Sequence, residues 1–229
     1  MFFFDSTIVI VIPGFILALW AQFKVKRTFS KYDQYDSRSG MTGAQVARDI
    51  LNRARLPVEV GHVGGSLTDH YDPRNRTLNL SDSTYGSRSL AAIGVAAHEA
   101  GHAFQHAYAY LPLSLRSNLV PVANFGSWLG MPLFFIGFFF QSGILVQLGV
   151  VLFSFAVLFG LVTLPVEFNA SSRAIQVLRE GGYLTAEEIP AAQKVLNAAA
   201  WTYVASALVA VLHLLRLLFL SGMLGGSDE

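Results

Sequence analysis

The stretch GVAAHEAGHAFQHAYAY, Gly94 to Tyr110, sets two histidines and a glutamate close together in a chain otherwise crowded with long apolar runs. Residues four apart lie one turn above each other on one face of an α-helix, so His98 and His102 point the same way. Two imidazoles in that relation bind one zinc ion, and a carboxylate directly after the first, here Glu99, reaches a water on the metal's open position. The surrounding Ala96, Ala97, Ala100, Gly101 and Ala103 suit a packed helix with room for a metal. Gly101 supports the same reading, since a mid-helix glycine otherwise costs about 1 kcal/mol relative to alanine.

A catalytic zinc takes three protein ligands and keeps a fourth position for water, so the histidine pair needs a third donor. The chain has no cysteine, which excludes disulfides and thiolate sites and leaves His, Asp or Glu. The metzincin pattern would need a histidine six residues after His102, and Tyr108 stands there. His106 lies one further turn along, roughly 80° around the helix from His98, and three successive turns of one straight helix do not easily surround one ion.

Composition points to lipid. Of 229 residues 53% are hydrophobic and 14% charged, a skew away from soluble domains, and the net charge of +1 gives no reason to expect nucleic acid. Four apolar segments approach the roughly 20 residues that a helix needs to cross a bilayer: about Thr7 to Phe23, Leu119 to Phe140, Gly143 to Pro165 and Ala198 to Met223. Lys24, Lys26, Arg27 and Lys31 follow the first, which marks an uncleaved anchor with its C-terminal side in the cytoplasm. Only Gln141 and Ser142 join the second and third segments, so these form a tight hairpin whose basic flanks, Arg116 before and Arg173, Arg179 and Lys194 after, return to the same side. The fourth segment then exits, leaving GGSDE outside.

The polar region between anchor and hairpin carries the histidines. MTGAQVARDILNRARLP opens on Thr42 as N-cap, holds Ala44, Val46, Ala47, Ile50, Leu51 and Ala54 at helical spacing and ends before Pro57. VEVGHVGG and LTDHYDPRNRTLNLS read as short strands, the second broken by a turn at DPRN, and Ser87 or Ser89 opens the histidine helix. His62, Asp69, His70 and Asp72 form a polar cluster on those strands without ligand spacing, so they read as ordinary polar residues. The candidate for the third ligand is Glu167, in LPVEFNASSRA, immediately after the hairpin at its cytoplasmic end. In the last segment His213 and Arg216 are ionisable groups that need a partner or a wet face, and Arg216 can snorkel to the outer surface.

HEAGH followed far downstream by EFNASSRA, with DPR…TLNLS and YGSRSLAAIGVAAHEAGHAFQH, resembles the YugP-like family of membrane zinc metallopeptidases over nearly the whole chain. It is more distantly similar to membrane peptidases of the HtpX type, whose downstream motif has an aspartate that supports a ligand histidine; Ser171 stands at that position here. The resemblance implies His98, His102 and Glu167 as ligands of one Zn²⁺ per chain and Glu99 as general base. In zincin-like folds a strand before the active helix pairs with extended substrate, and Arg76 to Ser81, with Thr77, Leu78, Asn79 and Leu80, is the candidate edge. Arg173 and His70 are candidates to stabilise the oxyanion.

The expected fold class is an α-helical membrane protein of about four transmembrane helices with a zincin-like, gluzincin-type α+β cytoplasmic catalytic part. Its parts are an anchor at 1–23, a cytoplasmic region at 24–118, a transmembrane hairpin at 119–165, a cytoplasmic segment at 166–197 and a last helix and tail at 198–229. The expected activity is an endopeptidase at the cytoplasmic face of a bacterial inner membrane, with a peptide or protein substrate, membrane proteins included, the lipid bilayer as its other partner, and no nucleic acid. The alternatives are a membrane scaffold with a structural or degenerate zinc site, which the intact Glu99 argues against, and a zinc hydrolase of a non-peptide amide.

Overall fold

The computed structural model describes residues 6–223, so the GGSDE tail and the first five residues of the expected anchor lie outside the described residues. The chain forms two compact units, one of Met1–Ala21, Ser114–Leu164 and Thr202–Glu229, the other of Gln22–Leu113 and Pro165–Trp201.

The first unit is helical. Three helices, α5 (Leu111–Phe139), α6 (Gly143–Glu180) and α7 (Ile189–Leu220), are long and apolar enough to cross a membrane among the described residues. The apolar stretch expected as the first crossing is divided between a 3₁₀ turn, Ser6–Ile10, and the start of α1 (Ile12–Tyr32), whose second half carries the basic residues. Its uninterrupted apolar α-helical run is therefore shorter than a bilayer core requires. α5 and α6 pair through glycine: a Cβ on Gly149 would lie 2.6 Å from Phe134 N and 2.8 Å from Gly130 O. Small residues of this kind let apolar helices approach where no hydrophobic force drives them together. Near the end of α7, Arg216 Nε donates to Thr7 Oγ1 at 3.1 Å, while the His213 ring sits edge-on to Phe15 and Phe153.

The second unit packs helices on a small sheet. α2 (Gly43–Arg53) starts in a capping box, with Thr42 and Gln45 exchanging side-chain-to-backbone hydrogen bonds. The strands are β1 (Glu59–Val63), β2 (His70–Asp72) and β3 (Thr77–Ser81), ordered β1-β3-β2, with β1 parallel and β2 antiparallel to β3. The β2–β3 turn is fixed by Asp72, whose carboxylate accepts from Arg74 N at 3.0 Å and Asn75 Nδ2 at 3.1 Å. After the short α3 (Asp82–Tyr85), α4 (Leu90–Ala107) opens on Ser89, whose hydroxyl accepts from Ala92 N.

This sheet corrects one expectation. β3 lies between β1 and β2, so Thr77, Leu78, Asn79 and Leu80 do not form an open edge. Beyond the last β2 pair, Ser81 N and Oγ are both taken by the Asp69 carboxylate at 2.8 Å. Leu78 and Leu80 are fully buried in a core shared with Ile50, Leu51, Ile93, Ala96, Ala97, Ala100, Leu178 and Leu196. The central position follows from that burial: β3 is the strand whose alternate side chains are most apolar, and it takes the place covered on both sides.

A second difference concerns α6, which does not stop at Pro165. Proline in a helix removes one N–H and tends to kink rather than necessarily end it, and α6 runs on unbroken to Glu180. Glu167 thus stands within a continuous helix.

Candidate metal centre

α4 and the Pro165–Glu180 part of α6 belong to the same unit and meet at Gly101. A Cβ there would lie 2.6 Å from Ala170 O and 3.1 Å from Ala170 Cα, so only glycine lets the two backbones come this close. Beside that contact stand the side chains that matter: His98 one turn before Gly101, His102 directly after it, and Glu167 one turn before Ala170. His98, His102 and Glu167 bring one donor atom each to within 4.8 Å of one another. His98 Nε2 is 3.3 Å and His102 Nε2 3.5 Å from Glu167 Oε2, and all three side chains are largely buried.

The two distances to Glu167 are longer than a short ion pair and close to the spacing of ligands on one ion. A direct N–H···O⁻ bond closes to about 2.7–2.9 Å, whereas two donors about 2.1 Å from a tetrahedral ion stand roughly 3.4 Å apart. Burial disfavours a His102 cation, but the carboxylates of Glu167 and Glu99 outweigh it and raise the ring's pKa above the usual imidazole value. The same carboxylates would favour a divalent cation. Nitrogen and oxygen donors from two His and one Glu are the set that zinc accepts.

The ring nitrogens turned away from Glu167 are held. His98 Nδ1 lies 3.0 Å from Ser171 Oγ, so a serine hydroxyl makes the supporting contact. His102 Nδ1 lies 3.0 Å from Gln105 Oε1. Gln105 is fully buried, and its Nε2 donates to Val166 O at 2.7 Å and Asn169 Oδ1 at 3.0 Å. Asn169 Oδ1 also accepts from Arg173 Nε at 2.8 Å, and the guanidinium lies over the Tyr108 ring.

Gln105 and Asn169 were missed from the sequence. A signal was present: Gln105 follows His102 by three residues, hence on a neighbouring face of the helix. Glu99 is buried beside the cluster, 8% exposed.

The other expected residues are engaged in contacts of their own. Arg173 is drawn into the Asn169 contact. His70 pairs with Asn79 across the sheet, on the face opposite Tyr71 and Leu78, and its ring contacts Thr68 O and Asn79 Nδ2. Tyr71 and Leu78 pack on the core that α4 shares, so His70 faces away from the histidine helix. His106 hydrogen-bonds Tyr71 Oη through Nδ1 at 2.8 Å. His62 pairs with Asp82, and Asp72 with Arg74. Among the described residues, none of His62, Asp69, His70 or Asp72 joins a metal-capable group of three.

A membrane-compatible helical protein with a buried His–His–Glu cluster defines the class. The chain belongs to the family described as "Putative neutral zinc metallopeptidase", which it matches over residues 7–222. It is 49% identical over 223 residues, 97% of this chain and 98% of the relative, to "Putative membrane protease YugP" of Bacillus subtilis (strain 168). No solved structure matches the chain.

Proposed function

We propose that this protein is a membrane-embedded zinc endopeptidase acting at the cytoplasmic face of a bacterial inner membrane. The observation that carries the reading is the convergence of His98, His102 and Glu167, donor atoms within 4.8 Å of one another and the two Nε2 atoms 3.3 and 3.5 Å from Glu167 Oε2, with Glu99 buried directly after His98. His98, His102 and Glu167 hold one zinc ion per chain. When bound, zinc lowers the pKa of a water from 15.7 toward about 7 and polarises a carbonyl.

This chain's own residues do the rest. Glu99 accepts the proton of the attacking water and delivers it to the nitrogen of the leaving amine. An extended peptide adds a strand to the outer edge of β2, residues His70–Asp72, with backbone hydrogen bonds that are indifferent to sequence. The contact from Tyr71 to His106 favours that edge, because it ties β2 to the helix bearing the histidines. α5, α6 and α7 are three crossings and the apolar stretch at 7–23, a 3₁₀ turn running into α1, serves as the fourth; the basic residues after Phe23 favour a cytoplasmic catalytic part.

The test is digestion of an unfolded protein and of a peptide library by the detergent-solubilised, zinc-loaded chain, with the Glu99→Gln variant beside it. Cleavage should stop on chelation and return with zinc. Glu99→Gln should keep its zinc and lose roughly 10² or more in turnover. A chain purified without chelator that contains no transition metal refutes the reading, as does one that holds zinc but cleaves no peptide.

A further inference from the structure

Two groups near His102 have only one hydrogen-bonding sense, and together they determine the state of its ring. A backbone carbonyl such as Val166 O only accepts, and an arginine Nε–H only donates. Arg173 Nε, 2.8 Å from the Asn169 side chain, therefore fixes the atom it meets as the amide oxygen, Oδ1. Gln105 Nε2 meets that oxygen at 3.0 Å and Val166 O at 2.7 Å, so it must be the amide nitrogen, with both hydrogens engaged. The reversed amide would press its oxygen against two acceptors at a site with no exposure to solvent. Gln105 thus presents Oε1 to His102 Nδ1 at 3.0 Å. An oxygen there can only accept. His102 Nδ1 carries the hydrogen, and the lone pair of the neutral ring lies on Nε2, the atom that faces Glu167.

His98 is held by a different kind of group. The Ser171 hydroxyl, 3.0 Å from its Nδ1, donates or accepts by rotating about its C–O bond, and so imposes neither tautomer.

Resting on the zinc reading above, we propose that Gln105 is a positioning residue that presets His102 as the Nδ1–H tautomer with its Nε2 ready to bind metal. Asn169 and Arg173 set the orientation of Gln105 itself. The two histidines are then an unequal pair, one preset and one adjustable, although they sit one turn apart on the same helix. Support of this kind changes metal affinity by about 10- to 100-fold when it is lost.

The experiment uses the full chain in detergent. In the metal-free parent, ¹⁵N spectra of labelled histidine, taken well above the imidazole titration range, should show His102 with a protonated Nδ1 and an unprotonated Nε2. Zinc affinity by chelator competition should fall 10- to 100-fold in Gln105→Leu and in Asn169→Leu. Asn169→Asp keeps an acceptor for both Gln105 Nε2 and Arg173 Nε, so it should stay within about threefold of the parent. The tautomer read in the metal-free parent needs no variant, which keeps the test decisive should Gln105→Leu fail to fold. The proposal is overturned if His102 in the parent carries its hydrogen on Nε2, or if Asn169→Asp is as damaging as Asn169→Leu. A parent that binds no zinc removes the functional reading, while the tautomer measured in the metal-free chain still decides this one.

Discussion

Replacing Gly101 by alanine sets two effects of known size against each other. Alanine is the better helix former by about 1 kcal/mol, so an isolated α4 would gain. In the folded protein the new Cβ would sit 2.6 Å from Ala170 O, 3.1 Å from Ala170 Cα and 3.2 Å from Ala170 C, all backbone atoms that no rotamer change can clear. Ordinary contact begins at 3.4 Å, so α4 and α6 must part by about 0.8 Å at this point. Overpacking of this kind costs about 1–3 kcal/mol. Net stability should therefore fall by no more than about 2 kcal/mol, and the fold should survive. The metal centre is far less tolerant, because His98 and His102 lie on one side of the contact and Glu167 on the other, and ligand distances hold within about 0.2 Å. Zinc affinity should drop by at least tenfold and turnover by roughly 10², the cost of a misplacement near 1 Å. Chelator competition and a thermal melt of the metal-stripped protein separate the two effects. A Gly101→Ala variant with parental zinc affinity would show that α4 and α6 are not held this close.

Three further outcomes are expected. Glu167→Gln replaces an anionic donor with a weak neutral one, so titration calorimetry on the metal-stripped chain should show a sharp loss of zinc affinity; equal affinity in Glu167→Gln, with loss in His106→Ala, would move the third ligand to His106. Reporters fused after Lys31 and after Arg179 should both read cytoplasmic, and opposite readings would refute the proposed topology. Burial pushes the Glu188 carboxyl up, but hydrogen bonds from Thr185 N and Arg38 N, each 2.8 Å, prevail and hold its pKa below the usual carboxylate value. Its contribution is then present above the unfolded carboxylate pKa and lost as pH falls through the lower folded one. Glu188→Gln should cost on the order of 1 kcal/mol at neutral pH, and a melting difference that fails to close in acid would count against the assignment.

Features set by neighbours in sequence were legible in sequence. Thr42 and Gln45 cap α2 across three residues, Ser89 caps α4, and Asp72 closes the DPRN turn, all through hydrogen bonds that span one turn of chain. The shared face of His98 and His102 is legible for the same reason. Sheet order was not, because which strand lies in the middle depends on whether β1 crosses over to pair with β3, a contact between residues 18 apart. The persistence of α6 through Pro165 was not legible either, since a proline's local penalty is fixed while the packing that outweighs it comes from distant parts of the chain. The support of His102 needed both kinds of information: Gln105 is local to the histidine, but its amide is oriented by Val166 and Asn169, more than 60 residues away.

That division explains why the helix around the site is built from such small residues. α4 buries Ala91, Ala92, Ala96, Ala97, Ala100, Gly101 and Ala103, and Gly94 lies close enough to Ala192 that a Cβ would meet it at 3.3 Å. Such side chains contribute little apolar area each, so the interface is a weak source of hydrophobic stabilisation for its length. What they supply is fixed backbone spacing, because a methyl group or a hydrogen has no rotamers through which a helix could settle closer or drift apart. A bulkier residue at Gly101 would bury more surface and push α6 away, since even a Cβ there would meet Ala170 O at 2.6 Å. Glu167 has only two methylenes with which to reach across to the histidines, so the distance between α4 and α6 sets the distance between donors. Gly101 therefore belongs to the metal centre as much as the histidines do, for its close approach to Ala170 sets the reach of Glu167 Oε2, 3.3 and 3.5 Å from two rings on another helix.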